Sequence, residues 1–293
     1  MAEIYGGVET GGTWCVCALG TGPDDIVAER TFPTREPGET LDAIAAFFDD
    51  ASSPPAAIGV GSFGPVDLNP ASDTWGYVTT TPKPGWAHTP VASVLRERLD
   101  VPIRFETDVN VAALGEQRWG AGRDAPTLSY LTVGTGVGAG LVIDGRPVHG
   151  LVHPEVGHLR IPHDTARDPF PGACPVHGDC WEGLAAGGAI ADRWGVSAKE
   201  LGDDHPAWAL EAEYLALGLL GIVLVASPHR IIVGGGVMER ASLLPAVRQR
   251  LRDLVGGYLD TPLLRGDIDE YLVAPALGDR AGVLGALALA ASA

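Results

Sequence analysis

Between residues 3 and 34, apolar and polar positions alternate in three short runs, EIYGGVE (3–9), WCVCALG (14–20) and DIVAERTFPT (25–34). Short connections join them, as in an antiparallel meander. The period then changes. Residues 39–50 keep their apolar side chains on one helical face, and 56–64 (AAIGVGSFG) form an apolar strand that ends in a glycine turn. Residues 89–99 predict a helix capped by Thr89 with proline at its first position. Strand 102–107 runs straight into a helix over 109–119 that begins just after Asp108. Residues 65–88, rich in Pro, Thr, Asp and aromatics, follow neither period and predict a long ordered loop of functional character.

The pattern then restarts. TLSYLTVG (127–134) reads as a strand, GTGVGAG (134–140) as a glycine turn and LVIDG (141–145) as a second strand. Helices follow over 183–194 and 207–226, then a strand over 230–236, then helices over 243–257 and 280–291. A strand, a Gly-Thr turn and a strand thus occur twice, which predicts a duplicated α/β architecture with a cleft between its halves. The expected domains are 1–117 and 118–293, divided near WGAGRDAPT, with the last helix 280–291 packing back on the N-terminal domain.

Composition narrows the possible partners. The chain has 293 residues and a net charge of −17, with only two lysines, Lys83 and Lys199. No basic patch could release counterions from a nucleic acid, so a nucleic-acid partner is not expected. A phosphate ligand would have to be held by backbone N–H groups and a metal cation. The opening MAEIYGG lacks the basic and apolar regions of a secretory signal, and the longest apolar run, 215–226, is too short to span a bilayer. A cytoplasmic, reducing location with no membrane partner is therefore expected, where paired cysteines bind metal more often than they form disulfides.

Two glycine turns are candidate phosphate cradles, ETGGT (9–13) with Gly12 and Thr13, and TVGTGVGAG (132–140) with Thr135. Glycine lets a backbone approach a ligand and point successive N–H groups at it, although a plain tight hairpin has the same composition. Neither lysine completes a Walker P-loop. Gly134, Gly136 and Ala139 match a dinucleotide spacing, but a strand follows where that motif needs a helix. VGGGVM (233–238) follows a strand and precedes a helix, so Gly234, Gly235 and Gly236 offer another close backbone approach to a nucleotide.

Asp108 stands between a strand and a helix, where it is either an N-cap or a general base at a cleft. His158, Cys174, His177 and Cys180 give His-x15-Cys-x2-His-x2-Cys, a set of two imidazoles and two thiolates suited to tetrahedral zinc. A Cys174–Cys180 disulfide or free thiols remain alternatives, and His153 or His163 could replace His158. His149, His205 and His229 read as ordinary surface or loop histidines. Cys15 and Cys17 alternate in an apolar strand and read as inert core thiols.

Taken in order, ETGGT, TDVN, TVGTGVGAG, HPEVGH, CPVHGDCWEG and VGGGV resemble the ROK family of sugar kinases along essentially the whole chain. SFGPVDL (62–68), TTTPKPGW (79–86) and CPVHGDC (174–180) are most like its bacterial zinc-containing fructokinases. The resemblance implies the two-domain actin/hexokinase-like (ribonuclease H-like) fold, ATP with Mg²⁺, a structural Zn²⁺, and transfer to the 6-hydroxyl of a hexose, D-fructose first. A glucokinase or N-acetylmannosamine kinase would share the same motifs. It further implies Asp108 as catalytic base and Gly64, Pro65, Glu155, His158 and Glu182 around the sugar. Gly12, Thr13, Thr135 and Gly188 would lie near the phosphates, Gly234 to Gly236 along the adenosine, and the chain would form a homodimer. Four positions depart from the family pattern: Glu9 where many relatives have Asp, Trp14 where they have Lys or Asn, Thr107 where they have Asn, and Gly188 where Pro is expected.

Overall fold

The computed structural model describes residues 3–292. In chain order it contains β1 (Tyr5–Thr10), β2 (Trp14–Gly22), β3 (Asp25–Pro33), α1 (Pro37–Asp49), β4 (Ile58–Ser62), α2 (Val91–Leu99), β5 (Ile103–Thr107) and α3 (Asp108–Trp119). There follow β6 (Thr127–Val133), β7 (Val137–Ile143), β8 (Arg146–Pro147), α4 (Trp181–Ala185), α5 (Gly187–Trp194) and α6 (Ala207–Ala226). The chain ends with β9 (Arg230–Gly234), α7 (Leu243–Val255), α8 (Pro262–Arg265), α9 (Ile268–Tyr271), β10 (Leu272–Val273) and α10 (Ala281–Ala290). The segment 134–140 is not one turn: the turn is confined to residues 134–136, and β7 begins at Val137.

The elements gather into two compact units. The first comprises Met1–Asp124, Gly140–Pro154 and Ala276–Ala293, and the second comprises Ala125–Ala139 and Glu155–Pro275. The division is therefore not the single cut at 117/118 expected from the turn residues. Segment 140–154 belongs with the first unit because the Val66 N–H donates to His153 Nε2 at 3.0 Å and His149 Nε2 bonds Glu106 Oε2 at 2.7 Å.

In the first unit the sheet order is β3-β2-β1-β4-β5. β1 runs antiparallel to β2 and parallel to β4, and β4 runs parallel to β5. The register pairs Thr10 with Ser62 and Ser62 with Thr107, so three strands end level at one edge. Helix α10 is buried on nearly every side, as a helix sandwiched between a sheet and another helix must be. Glycines permit that contact. A Cβ on Gly59 would fall 2.0 Å from the Ala286 carbonyl oxygen, and one on Gly285 would fall 1.6 Å from that of Val111.

In the second unit β9 lies parallel between β6 and β10. Leu131, Val133, Ile231, Trp181, Leu215 and Leu219 form its core with α6 and α7. Helix α6 has 20 residues, extends well beyond the apolar run 215–226, and is long and apolar enough by length and composition to cross a membrane. Trp208, Glu211, Tyr214, Leu215 and Leu219 bury one part of it in the core, while Val225 is 90% exposed.

Backbone, not a movable side chain, blocks the space beside Gly285. Gly285→Ala should therefore lower stability by about 2 kcal/mol, in the range of overpacked cores. Gly38, whose Cβ direction is open, is the control, and Gly38→Ala should leave the urea unfolding midpoint unchanged or raised.

Candidate functional site

The level strand ends of the first unit place three sequence motifs at one edge, where parallel α/β sheets present ligand-binding loops. After Thr10 comes the turn with Gly12 and Thr13, after Ser62 the cis Gly64–Pro65 peptide, and after Thr107 comes Asp108. The first turn is closed by the Gly11 N–H donating to the Trp14 carbonyl at 2.9 Å. It is braced by Thr34, whose N–H donates to the Thr13 carbonyl at 2.9 Å and whose hydroxyl donates to the Gly11 carbonyl at 2.8 Å. Gly12 is exposed, with nothing within 4 Å of its Cβ direction. Pro65 is fixed through its carbonyl, which accepts from the N–H and the hydroxyl of Thr79 at 2.8 and 3.0 Å.

Asp108 is the first residue of α3, not its cap. Thr107 caps the helix instead, its hydroxyl accepting the Asn110 N–H at 3.2 Å. A threonine in place of the family's asparagine thus still serves as an N-cap. The Asp108 carboxyl accepts only a local bond from the Val109 N–H at 2.9 Å and remains half-buried. Burial pushes it up to about 7. Glu9, in β1, is pushed up to about 8, first by burial and then by the Asp108 charge. Its Oε2 is buried with no hydrogen-bond partner.

One residue before Thr107, Glu106 is buried and held by three donors. Its Oε1 accepts the Thr107 N–H at 2.9 Å and the Asn110 amide at 2.8 Å, and its Oε2 meets His149 at 2.7 Å. Glu106 raises the His149 pKa, chiefly through this hydrogen bond, and so favours the charged imidazolium beside the carboxylate. His149 is not an ordinary surface histidine: it braces the segment that carries Asp108. The sequence pattern hides this because Glu106 lies 43 residues away.

In the second unit the residues converge on the backbone of Val137, the first residue of β7. The Val137 N–H donates to Glu182 Oε2 at 3.0 Å. On its other side, a Cβ on Gly157 would fall 1.9 Å from the Val137 carbonyl oxygen, so only glycine lets the Glu155–His158 segment pack there. Thr135 is exposed at the adjoining turn, which is closed by the Gly134 N–H donating to the Gly136 carbonyl at 2.9 Å. The Gly187 N–H donates to the Gly134 carbonyl at 2.7 Å, and the Cβ direction of Gly188 comes within 3.8 Å of the Thr135 carbonyl oxygen. A side chain at Gly188 would thus meet only an ordinary van der Waals contact there. Gly234, Gly235 and Gly236 lie at the end of β9, Gly235 at a φ of 95° against the backbone of Val133. Beside Gly236 opens a groove of about 520 Å³ lined in part by Lys199, Asp203, Trp208, Glu239 and Arg240.

The four predicted metal ligands also come together. One ligand atom from each of His158, Cys174, His177 and Cys180 lies within 4.8 Å of the others. Cys174 Sγ is 3.8 Å from Nδ1 of both His158 and His177, and Cys180 Sγ is 3.6 Å from His158 Nδ1. Tetrahedral zinc, with bonds of about 2.3 Å to sulfur and 2.0 Å to nitrogen, sets S···N separations of about 3.5 Å, close to these distances. All four cysteines are free thiols. Burial pushes Cys180 up to about 11, so a thiolate there calls for a compensating cation. Of the other ligands considered, His153 accepts the Val66 N–H, and His163 is bound to Asp168 and Asp179. Cys15 and Cys17 are in the core.

The ROK family profile matches residues 5–293. A fructokinase from Zymomonas mobilis is 42% identical, with 99% of this chain and 97% of that protein covered. The ROK hexokinase of Thermus thermophilus is 28% identical with a TM-score of 0.79 over 98% of each chain. A ROK glucokinase from Streptomyces griseus, solved with glucose and AMPPNP, is 27% identical with a TM-score of 0.78, covering 98% of this chain and 99% of that one. The mixed α/β architecture with two five-stranded sheets is accordingly the actin-like fold of these proteins.

Glu9 gives a prediction about stability. The unfolded chain releases this proton near the ordinary carboxylate value, whereas the folded chain keeps it until about pH 8, so ionisation works against the fold across that window. Melting temperature should fall between pH 5 and pH 8 in the wild type and fall less in Glu9→Gln. Parallel pH dependences measured by calorimetry would refute the buried-acid assignment.

Proposed function

Because the chain belongs to the ROK family, we propose that it is an ATP-dependent sugar kinase that transfers the γ-phosphoryl group to the 6-hydroxyl of a hexose, with D-fructose as its preferred substrate. The observation carrying the mechanism is Asp108. It is a half-buried carboxyl relieved of capping by Thr107 and raised to about 7, where a general base at neutral pH works best. It takes the proton of the 6-hydroxyl as that oxygen attacks the terminal phosphorus and the bond to ADP breaks. Most of the acceleration in such a transfer comes from positioning and charge stabilisation. Gly12 and Thr13 serve the phosphates, as do Thr135 and Gly188, and Gly234 to Gly236 follow the adenosine beside the groove next to Gly236. The preference for fructose rests on relatives such as the Zymomonas mobilis fructokinase, and ATP rests on the AMPPNP complex of the Streptomyces griseus protein.

Gly64 and Pro65 serve the sugar from the first unit, and Glu155, His158 and Glu182, the last through the oxygen not held by Val137, serve it from the second. Glu9, with its orphaned buried oxygen, would hold Mg²⁺ by giving up its proton to the solvent, and the ion would supply charge neutralisation on the phosphates. His158, Cys174, His177 and Cys180 hold Zn²⁺, whose part is structural. Glu155 lies three residues from one zinc ligand and Glu182 two residues from another, so the four ligands fix both sugar-contacting segments.

A panel of hexoses assayed with ATP tests the reading directly: D-fructose should give the highest kcat/KM, and no phosphorylation of any hexose would refute it. Asp108→Asn should lower kcat by about 10²–10⁴-fold while sugar binding survives. Since the base acts deprotonated, wild-type kcat/KM should rise about tenfold per pH unit below 7 and level off above it. Elemental analysis should find about one zinc per chain. Cys174→Ser should lose the metal and raise the KM for the hexose more than that for ATP. A zinc-free chain with full activity would remove the structural role.

A further inference from the structure

The loop over residues 65–88 carries a feature that the mechanism above leaves unused. Lys83 is one of only two lysines in a chain of net charge −17. Its Nζ donates to the carbonyl of Gly12, at the tip of the first glycine turn, at 2.6 Å and lies 5.9 Å from the centre of the Phe63 ring. Neither contact is accidental in its construction. Phe63 stacks edge-on against Trp86 at 5.0 Å, and Trp86 is fully buried with its indole N–H donating to the Arg35 carbonyl at 2.8 Å. The Lys83 N–H is bound in turn by the Thr81 hydroxyl at 3.3 Å. The lysine is aimed by its surroundings at one carbonyl.

An ammonium has three donors, and the Gly12 carbonyl uses one of them. Among the described residues, the N–H groups of Gly12 and Thr13 donate to no protein atom, and the space over Gly12 is open. The ammonium thus sits on the carbonyl side of the exposed Gly12 turn with two donors to spare, where it can meet a phosphoryl group held at that turn. The loop that bears Lys83 begins at the Gly64–Pro65 segment of the sugar pocket and ends on the phosphate turn. The group common to nucleotide and sugar is the one that moves between them.

We propose that Lys83 binds the phosphoryl group in transfer, making it a catalytic residue that contacts the terminal phosphate of ATP and then the phosphate of the sugar product. The proposal rests on the kinase reading above. It gives Lys83 a charge-assisted contact that ATP makes and ADP does not. The carbonyl bond to Gly12 holds the ammonium in place before the nucleotide arrives.

The test compares Lys83→Met, which keeps length and removes charge, with Lys83→Arg, which keeps charge. Binding of ATP and of ADP, each without sugar, is measured by calorimetry alongside kcat and KM. Lys83→Met should weaken ATP about tenfold or more while leaving ADP within about twofold, the span of one charge-assisted hydrogen bond. Its kcat should fall about 100-fold, with partial recovery in Lys83→Arg. Equal weakening of ATP and ADP would mean that the lysine only braces the turn, and unchanged binding and turnover would mean that it faces solvent; either result overturns the proposal. The ratio of ATP to ADP affinity needs no sugar turnover. A wild type that phosphorylates no hexose would therefore defeat the kinase reading without deciding the question of Lys83.

Discussion

The second unit is organised around the backbone of one residue, Val137. The Val137 N–H is bound by Glu182, and its carbonyl is covered by Gly157 at a distance that admits no side chain. Glu182 stands two residues after Cys180, and Gly157 one residue before His158. Cys180 and His158 meet in the Cys/His cluster at 3.6 Å. The contacts therefore close a ring from Val137 through Gly157 and His158 to Cys180 and Glu182, and back to Val137. A ring of this kind restrains each loop from both ends. Segments that would otherwise be mobile take one geometry, and they do so beside the second glycine turn.

The first unit reaches an equivalent precision by register instead of by ligands. Thr10, Ser62 and Thr107 end level, so three connections leave the sheet together. The crossover geometry depends on α10 lying almost in contact with the backbones of β1, β4 and α3, which the glycines on both sides make possible. At the critical strand end the division of labour is chemical. Thr107 satisfies the helix terminus, Glu106 is held by its own three donors, and Asp108 is left with a carboxyl that no longer has a structural duty.

The parts that could be read from sequence are those where chemistry and spacing coincide. The cysteine loop is legible because thiols are scarce and ligand spacing is short, and the strand–helix junction at Asp108 because periodicity changes there. The start of β7 was obscured because VGAG lacks the side chains that would display alternation. Its glycines serve close approach instead: a Cβ on Gly140 would lie 2.3 Å from the Val109 carbonyl oxygen. His149 reads as an ordinary surface histidine and His153 as a spare metal ligand because their partners lie 43 and 87 residues away. The unit boundary was missed for a related reason. β7 passes from one unit into the other with no break in composition, and only long-range hydrogen bonds reveal to which side 140–154 belongs.

Charge sets the remaining problem. Desolvation that raises Asp108 to about 7 and Glu9 to about 8 works only in a setting poor in nearby cations, since a positive neighbour would lower both again. A polyanionic substrate asks for the opposite environment. No cation is among the groups that shift either carboxyl. The Lys83 ammonium is bound to the Gly12 carbonyl, and the Thr107 hydroxyl that caps the helix begun by Asp108 is neutral. A second free lysine close to Asp108 would strengthen phosphate binding and weaken the base.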